Sequence, residues 1–157
     1  MARIGLISDT HGLLRPEAVA FLRGCDHIVH AGDIGDERIL AELSRLAPVV
    51  AVRGNNDHGA WAEALAETEV VRFGEVVVCV IHDLAQLAPD PRAAGVRVVV
   101  SGHSHKPSVE RRDGVLHVNP GSAGRRRFKL PVSVAELIIG GSSVSARLVE
   151  LDLQPSS

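Results

Sequence analysis

The stretch that decides the fold is Arg3-Ile4-Gly5-Leu6-Ile7-Ser8-Asp9-Thr10-His11-Gly12. Arg3–Ser8 is a short apolar run that reads as a buried strand. It breaks into a loop carrying a carboxylate and an imidazole two residues apart. The pattern then recurs. Asp26–His30 is a second short strand and leads into Ala31-Gly32-Asp33. Pro48–Arg53 is a third and leads into Gly54-Asn55-Asn56-Asp57. Between them lie two segments with apolar residues at helical spacing. Leu13–Arg23 has Pro16 in a tolerable first-turn position and Gly24 just past its end. Asp36–Leu46 has Asp36 as N-cap and acidic residues in its first turn.

Past Arg53 the signals turn from mixed to mostly β. Glu63–Ala66 is weakly helical, and Glu69–Phe73 and Glu75–Ile81 form a hairpin pattern around Gly74. Leu84–Leu87 reads as a short helix or turn, and Pro89 and Pro91 interrupt any regular element beyond it. Val96–Ser101 is another buried strand. Ser108–Arg112 and Val115–Asn119 flank Asp113-Gly114, a pair favoured in tight hairpins. Val132–Ile139 and Val144–Leu151 flank Gly140-Gly141, and Gln154–Ser157 is a polar tail. The expectation is one α/β domain over residues 1–157, a four-layer αββα sandwich of two mixed β-sheets flanked by helices.

Composition narrows the function. A chain of 157 residues suits a single core. The net charge of −2 lacks the excess of Lys and Arg that grips duplex phosphates, and 3% aromatics leaves few base-stacking platforms. No apolar stretch approaches the roughly 20 residues that span a bilayer. The N-terminal apolar run is too short for a signal peptide. Cys25 and Cys79 suggest neither a disulfide framework nor a zinc site, so a cytoplasmic protein is expected.

The candidate ligands all come after strands, where ligands collect in open α/β sheets. To Asp9, His11, Asp33 and Asn55 the second half adds His82 after Val76–Ile81, and Gly102-His103-Ser104-His105 after Val96–Ser101. Carboxylates and neutral imidazoles are the usual ligands for borderline divalent ions. A shared carboxylate between two such ions keeps them roughly 3.5–4 Å apart, the spacing of two-metal hydrolases. Gly12, Gly32, Gly54 and Gly102 are expected to let the backbone turn sharply beside the metals.

Asp-Thr-His-Gly, Gly-Asp, Gly-Asn-x-Asp, a His after a strand and Gly-His-Ser-His stand here in one order. In that order they resemble the calcineurin-like metallophosphoesterase superfamily, and within it the compact YfcE-like phosphodiesterase branch, which shares its fold with a retromer scaffold subunit. Asn119-Pro120-Gly121-Ser122 adds a sixth segment of that branch. The resemblance covers nearly the whole chain, from Ile4 to about Leu151. It implies that Asp9, His11, Asp33 and His105 hold one metal, and Asp33, Asn55, His82 and His103 the other, with Asp33 bridging. It further implies that a metal-bridging hydroxide attacks phosphorus in line. Manganese is the first expectation for both ions; nickel, iron, cobalt and zinc suit the same donors. The partner implied is a small phosphate ester, and a homo-oligomer is compatible with the sequence.

Two positions depart from the resemblance. Many members carry a His directly after the metal-binding Asn, and here it is Asn56, an amide that cannot act as a general acid. Substrates with good leaving groups are expected to turn over more easily, and His58 is the candidate substitute. The branch commonly continues past the strand-end His with Gly and another His, and here Asp83 and Leu84 come after His82. Asp83 places an acid beside an anionic substrate site. In the basic run Arg125-Arg126-Arg127-Phe128-Lys129, Arg125 is the candidate to reach a substrate phosphate, against the simpler reading of a solvated loop. His30 reads as a structural residue or as a hydrogen-bonding support for a ligand, and His27 and His117 as surface residues. Trp61 is core, pocket wall or oligomer contact. Besides a metal-dependent phosphodiesterase, the chain is compatible with a non-catalytic protein-binding scaffold or a nuclease.

Overall fold

A computed structural model of the chain describes residues 1–87, 95–126 and 129–153. Strand β1 (Ala2–Ile7) runs through the middle of the first sheet. Helix α1 (Pro16–Leu22) returns the chain to β2 (His27–His30), and α2 (Glu37–Ser44) returns it to β3 (Val49–Ala51). β1, β2 and β3 therefore pair in parallel, with Ile4 opposite His27 and Ile28 opposite Val49. The single-turn α3 (Ala60–Glu63) crosses to the second sheet, where β4 (Thr68–Phe73) and β5 (Val76–Ile81) form a hairpin. A 3₁₀ turn (Leu84–Gln86) precedes β6 (Val98–Val100), which pairs in parallel with β5 and with β8 (Val115–Asn119). β7 (Ser108–Arg112) lies antiparallel on the edge beyond β8. The chain then returns to the first sheet as β9 (Ser133–Gly140) and β10 (Ser143–Glu150). The orders are β10-β9-β1-β2-β3 and β4-β5-β6-β8-β7, so both sheets are mixed.

Strand alternation divides the core. Ile4 and Leu6 of β1 face Val78 and Val80 of β5 and Val98 and Val100 of β6 between the sheets. Ile7 points the other way, with Ile28, onto Ala18, Leu22, Ile39 and Leu43 of the two helices. On the outer face of the second sheet Cys79, Ile81 and Val99 pack with Leu84 and Leu87 of the 3₁₀ turn. The sandwich is as expected, and among the described residues its fourth layer consists of that turn.

Element ends differ from expectation for local reasons. α1 begins at Pro16 rather than Leu13, with proline at a position whose N–H has no partner in any helix. Asp36 is the N-cap of α2 and accepts from Arg38 N at 2.9 Å. The weak helix expected at Glu63–Ala66 lies instead at Ala60–Glu63. His27 is half-buried rather than superficial, its ring 4.9 Å from that of Phe73. His117 is half-buried on the outer face of the second sheet, not solvated. Trp61 packs part-buried on the helix-side core. Both cysteines are buried and free. No helix is long and apolar enough to cross a membrane among the described residues. Gln154–Ser157, Pro89, Pro91, Arg127 and Phe128 lie outside the described residues.

Candidate metal centre

Parallel strands end at one edge. The loops after β1, β2 and β3 therefore meet the loops after β5 and β6, and all seven candidates come from these five loops. Asp9 Oδ1 lies 3.4 Å from His105 Nε2 and 3.8 Å from His11 Nε2, and the two imidazole rings stack at 5.2 Å. Asp33 Oδ2 lies 3.3 Å from His82 Nε2 and 3.6 Å from His11 Nε2, so this one oxygen stands between two groups of imidazoles. Beyond His82, at a ring distance of 5.2 Å, His103 Nδ1 is 3.2 Å from Asn55 Oδ1. Asp9, His11 and His105 can offer donor atoms to one cation, and so can Asp9, Asp33 and His82.

The donors fit metal ions better than they fit each other. Nitrogen and oxygen ligands sit roughly 2.0–2.2 Å from such ions, so neighbours around one ion stand about 3.0–3.5 Å apart. The carboxylate–imidazole spacings here fall at or just above that range. Two of the atoms, Asp9 Oδ1 and His82 Nε2, are buried with no hydrogen-bond partner, which a protein rarely leaves so without a ligand. The other atom of each group is tied down. Asp9 Oδ2 accepts from Ser8 Oγ at 2.7 Å and from His103 N at 3.2 Å. His82 Nδ1 faces the carbonyl of Ala31 at 2.8 Å, and because a carbonyl only accepts, Nδ1 carries the proton. In its neutral form the ring turns an Nε2 lone pair into the site, as a metal ligand must.

Backbone conformation is part of this construction. Asp9, His11, Asp33, His103 and His105 all have positive φ, between 45° and 71°. Such conformations are uncommon outside glycine and collect at functional sites. Gly54 and Gly102 act differently from the expected sharp turning. Neither has positive φ; a Cβ on Gly54 would collide with Asp33 N and Oδ1, and one on Gly102 with Ser8 Oγ. These glycines let two loops touch.

Electrostatics separate the acids. Burial works against charge on Asp33, but His82 and the two Asn56 donors outweigh it and hold its carboxyl below the usual range. Burial pushes the Asp9 carboxyl up, against the Ser8 hydroxyl and the His82 and His105 rings. His82 is driven up: burial opposes its proton, while Asp33 and Asp9 favour it. The same negative field favours a cation at that point.

Other sequence candidates resolve unequally. Asn56 donates to the bridging candidate twice, from its backbone N to Asp33 Oδ1 at 2.9 Å and from Nδ2 to Oδ2 at 3.0 Å. His58 and Arg125 are exposed, and no hydrogen bond or ion pair joins them to the cluster among the described residues. His30 is fully buried. Its Nδ1 accepts from Gly32 N at 3.1 Å and its Nε2 faces Thr10 Oγ1 at 3.1 Å. Thr10 gives its own proton to Ile34 O at 2.7 Å, so His30 Nε2 is the donor. Burial pushes His30 down to about 3, so it stays neutral and braces both acidic loops.

Three supporting side chains are not apparent from the sequence. Asp57, 5% exposed, accepts from Gly35 N and Gly54 N, each at 2.9 Å, and ties the loop after β2 to the loop after β3. Asn119 donates to Gly102 O at 3.0 Å and Ser104 Oγ at 3.1 Å, while Ser122 Oγ donates to Asp9 O at 3.0 Å. All three residues stand inside family-like motifs, but nothing in the spacing shows where their side chains point.

Comparison with known proteins places the chain in a family. Residues 2–140 match the calcineurin-like phosphoesterase superfamily domain. A probable metallophosphoesterase of Methanothermobacter thermautotrophicus is 39% identical over 93% of this chain and 91% of its own. A phosphodiesterase of Methanocaldococcus jannaschii is 27% identical over 76% and 82%. In three dimensions the chain resembles Vacuolar Protein Sorting 29 of Cryptosporidium parvum, with a TM-score of 0.82 at 22% identity over 96% and 91% of the two chains. The chain belongs to the calcineurin-like phosphoesterase superfamily.

Proposed function

We propose that this protein is a dinuclear metal-dependent phosphodiesterase. The observation that carries the proposal is the convergence of Asp9, His11, His105, Asp33 and His82, with Asp9 Oδ1 and His82 Nε2 buried and unpartnered between them. Asp9, His11, Asp33 and His105 would hold one divalent ion, and Asp33, Asn55, His82 and His103 the other, with Asp33 common to both. Manganese is the ion to try first, with nickel, iron, cobalt and zinc as alternatives. Bound there, the ions would activate water at neutral pH and offset the charge that develops on the phosphoryl oxygens.

The residues of the chain orient that chemistry. Asn56 holds both oxygens of Asp33, so its amide serves the ligand rather than a leaving group. Water attacks phosphorus in line, the P–O bond to the leaving alcohol breaks, and no protein nucleophile is needed. With an amide at position 56, the leaving group departs without a neighbouring acid there, which favours esters of acidic alcohols. His58 and Arg125 are the candidates for contact with the rest of the substrate.

The likeness to Vacuolar Protein Sorting 29 supports a second reading, a protein-binding scaffold on the same fold. Against it, each of the seven positions at which the resemblance implies a ligand carries a residue type that can serve as one. The experiment is hydrolysis of bis-p-nitrophenyl phosphate and p-nitrophenyl phosphate by chelator-stripped protein, with and without manganese. The phosphodiesterase reading expects metal-restored cleavage of the diester, abolished in Asp33→Asn and His103→Ala. Folded protein that binds no stoichiometric metal and cleaves neither ester with any of the five ions would leave the scaffold.

A further inference from the structure

Asp83 directly succeeds His82 and stands where two clefts meet. The first cleft leads from Asn55 and His82 past Arg53, Glu67 and Gln86. The second leads from His103 along the outer face of the second sheet, past Leu84, Glu110, Arg112 and His117. Asp83 lines both. In each cleft the nearby arginine is already matched by an acid. Arg53 Nη2 is 3.0 Å from Glu67 Oε1, and Arg112 pairs with Glu110. Asp83 accepts from Ala85 N at 3.0 Å, which caps the 3₁₀ turn, and no arginine or lysine pairs with it among the described residues. Among the described residues, then, no cationic side chain offsets its charge, and it lines both clefts beside His82.

We propose that the Asp83 carboxylate sets the charge preference of the site, admitting the single charge of a phosphodiester and working against the double charge of a phosphomonoester. This rests on the phosphoesterase reading. A diester carries one negative charge, whereas a monoester with its second ionisation near pH 6 is mostly a dianion at pH 8. Repulsion from a fixed carboxylate scales with substrate charge, so the monoester loses about twice as much. The two clefts add a matching shape, one for each organic arm of a diester. A monoester has one arm and leaves the other cleft to water.

The test compares kcat/KM for bis-p-nitrophenyl phosphate and p-nitrophenyl phosphate in manganese-loaded protein at pH 8, before and after Asp83→Asn and Asp83→Ser. Both replacements keep an oxygen that can cap Ala85 N, so the 3₁₀ turn should survive, and melting temperature checks it. General effects on the metals touch both esters and cancel in the ratio. The monoester-to-diester ratio should rise roughly threefold to tenfold, the size expected of one charge removed several ångströms from another at a solvent-facing site. The rise should shrink at high salt. Calorimetry should show inorganic phosphate binding tighter to the variants by a similar factor, and dimethyl phosphate by less. If both variants are folded and cleave the diester but leave the ratio and the phosphate affinity unmoved, the assignment to Asp83 is overturned and the phosphoesterase reading stands. If the unsubstituted protein cleaves neither ester with any metal, that reading falls and this inference with it.

Discussion

Replacing Asp57 by alanine tests whether its two hydrogen bonds hold the loops of the candidate centre together. Asp57 accepts two backbone N–H groups, from Gly35 and Gly54, each at 2.9 Å. The Gly54 bond is buried, so in the variant that N–H loses its partner without gaining water. The Gly35 bond is part-buried, and water replaces it in part. A hydrogen bond to a charged acceptor contributes about 1.5–3 kcal/mol, with the upper end reached when the donor is left stranded. Together the two losses should lower unfolding free energy by about 3–4 kcal/mol, a large fraction of the 5–15 kcal/mol typical of a domain. For a chain of this length that is a fall in Tm of roughly 6–16 °C. Asp57→Asn keeps one acceptor and sets an amide N–H₂ against the other donor, so it should recover about half of the loss. The assay is urea unfolding of metal-free protein, and then manganese titration of the folded variants. Because Gly54 adjoins Asn55 and Gly35 lies just past the Asp33 loop, metal affinity should fall along with stability. A change below about 1 kcal/mol for Asp57→Ala, against the charge-assisted range, would show that these two bonds do not hold the loops together.

Asn56→Ala removes the Nδ2 bond to Asp33 and leaves the backbone bond, so metal affinity should drop by about tenfold, the lower end for a ligand's supporting bond; calorimetry reads it, and an unchanged affinity contradicts the role given to Asn56. Metal binding should weaken as pH falls through the raised value of His82, because below it Nε2 holds a proton where a ligand lone pair is needed; affinity that is level from pH 8 to pH 5 would count against His82 as a ligand. Burial opposes charge on Glu136, but Arg3 at 2.6 Å and Arg147 at 3.0 Å outweigh it and hold the carboxyl below its unfolded value. Its contribution to stability is therefore present above the unfolded value and lost as pH falls through the folded one; Glu136→Gln should flatten that part of the acid unfolding curve, and an unaltered curve would show that the pair contributes nothing.

Periodicity and motif order carry far because they depend on neighbours in the chain. Alternate burial along Ile4, Leu6, Val78 and Val80, the Asp36 cap and the turns at Gly74 and Asp113-Gly114 are local properties, so the two sheets, their hairpins and the loop positions of the seven candidate residues are legible in the residues alone. What a side chain does across loops distant in the chain is not. Asn56 clasps Asp33 from 23 residues away, Asp57 joins Gly35 to Gly54, Asn119 braces Gly102, and His30 supports Thr10. The same holds for Gly54 and Gly102, which owe their place to a carboxylate and a hydroxyl arriving from other strands rather than to their own φ. The position of Asp83 between two clefts has a like origin, since the walls come from β7 and β8 on one side and from the loop after β3 on the other. Sequence spacing specifies which residues can reach a strand end. Which of them meet, and which atom each turns inward, is decided only when parallel strands bring five loops to one edge and close packing removes the alternatives.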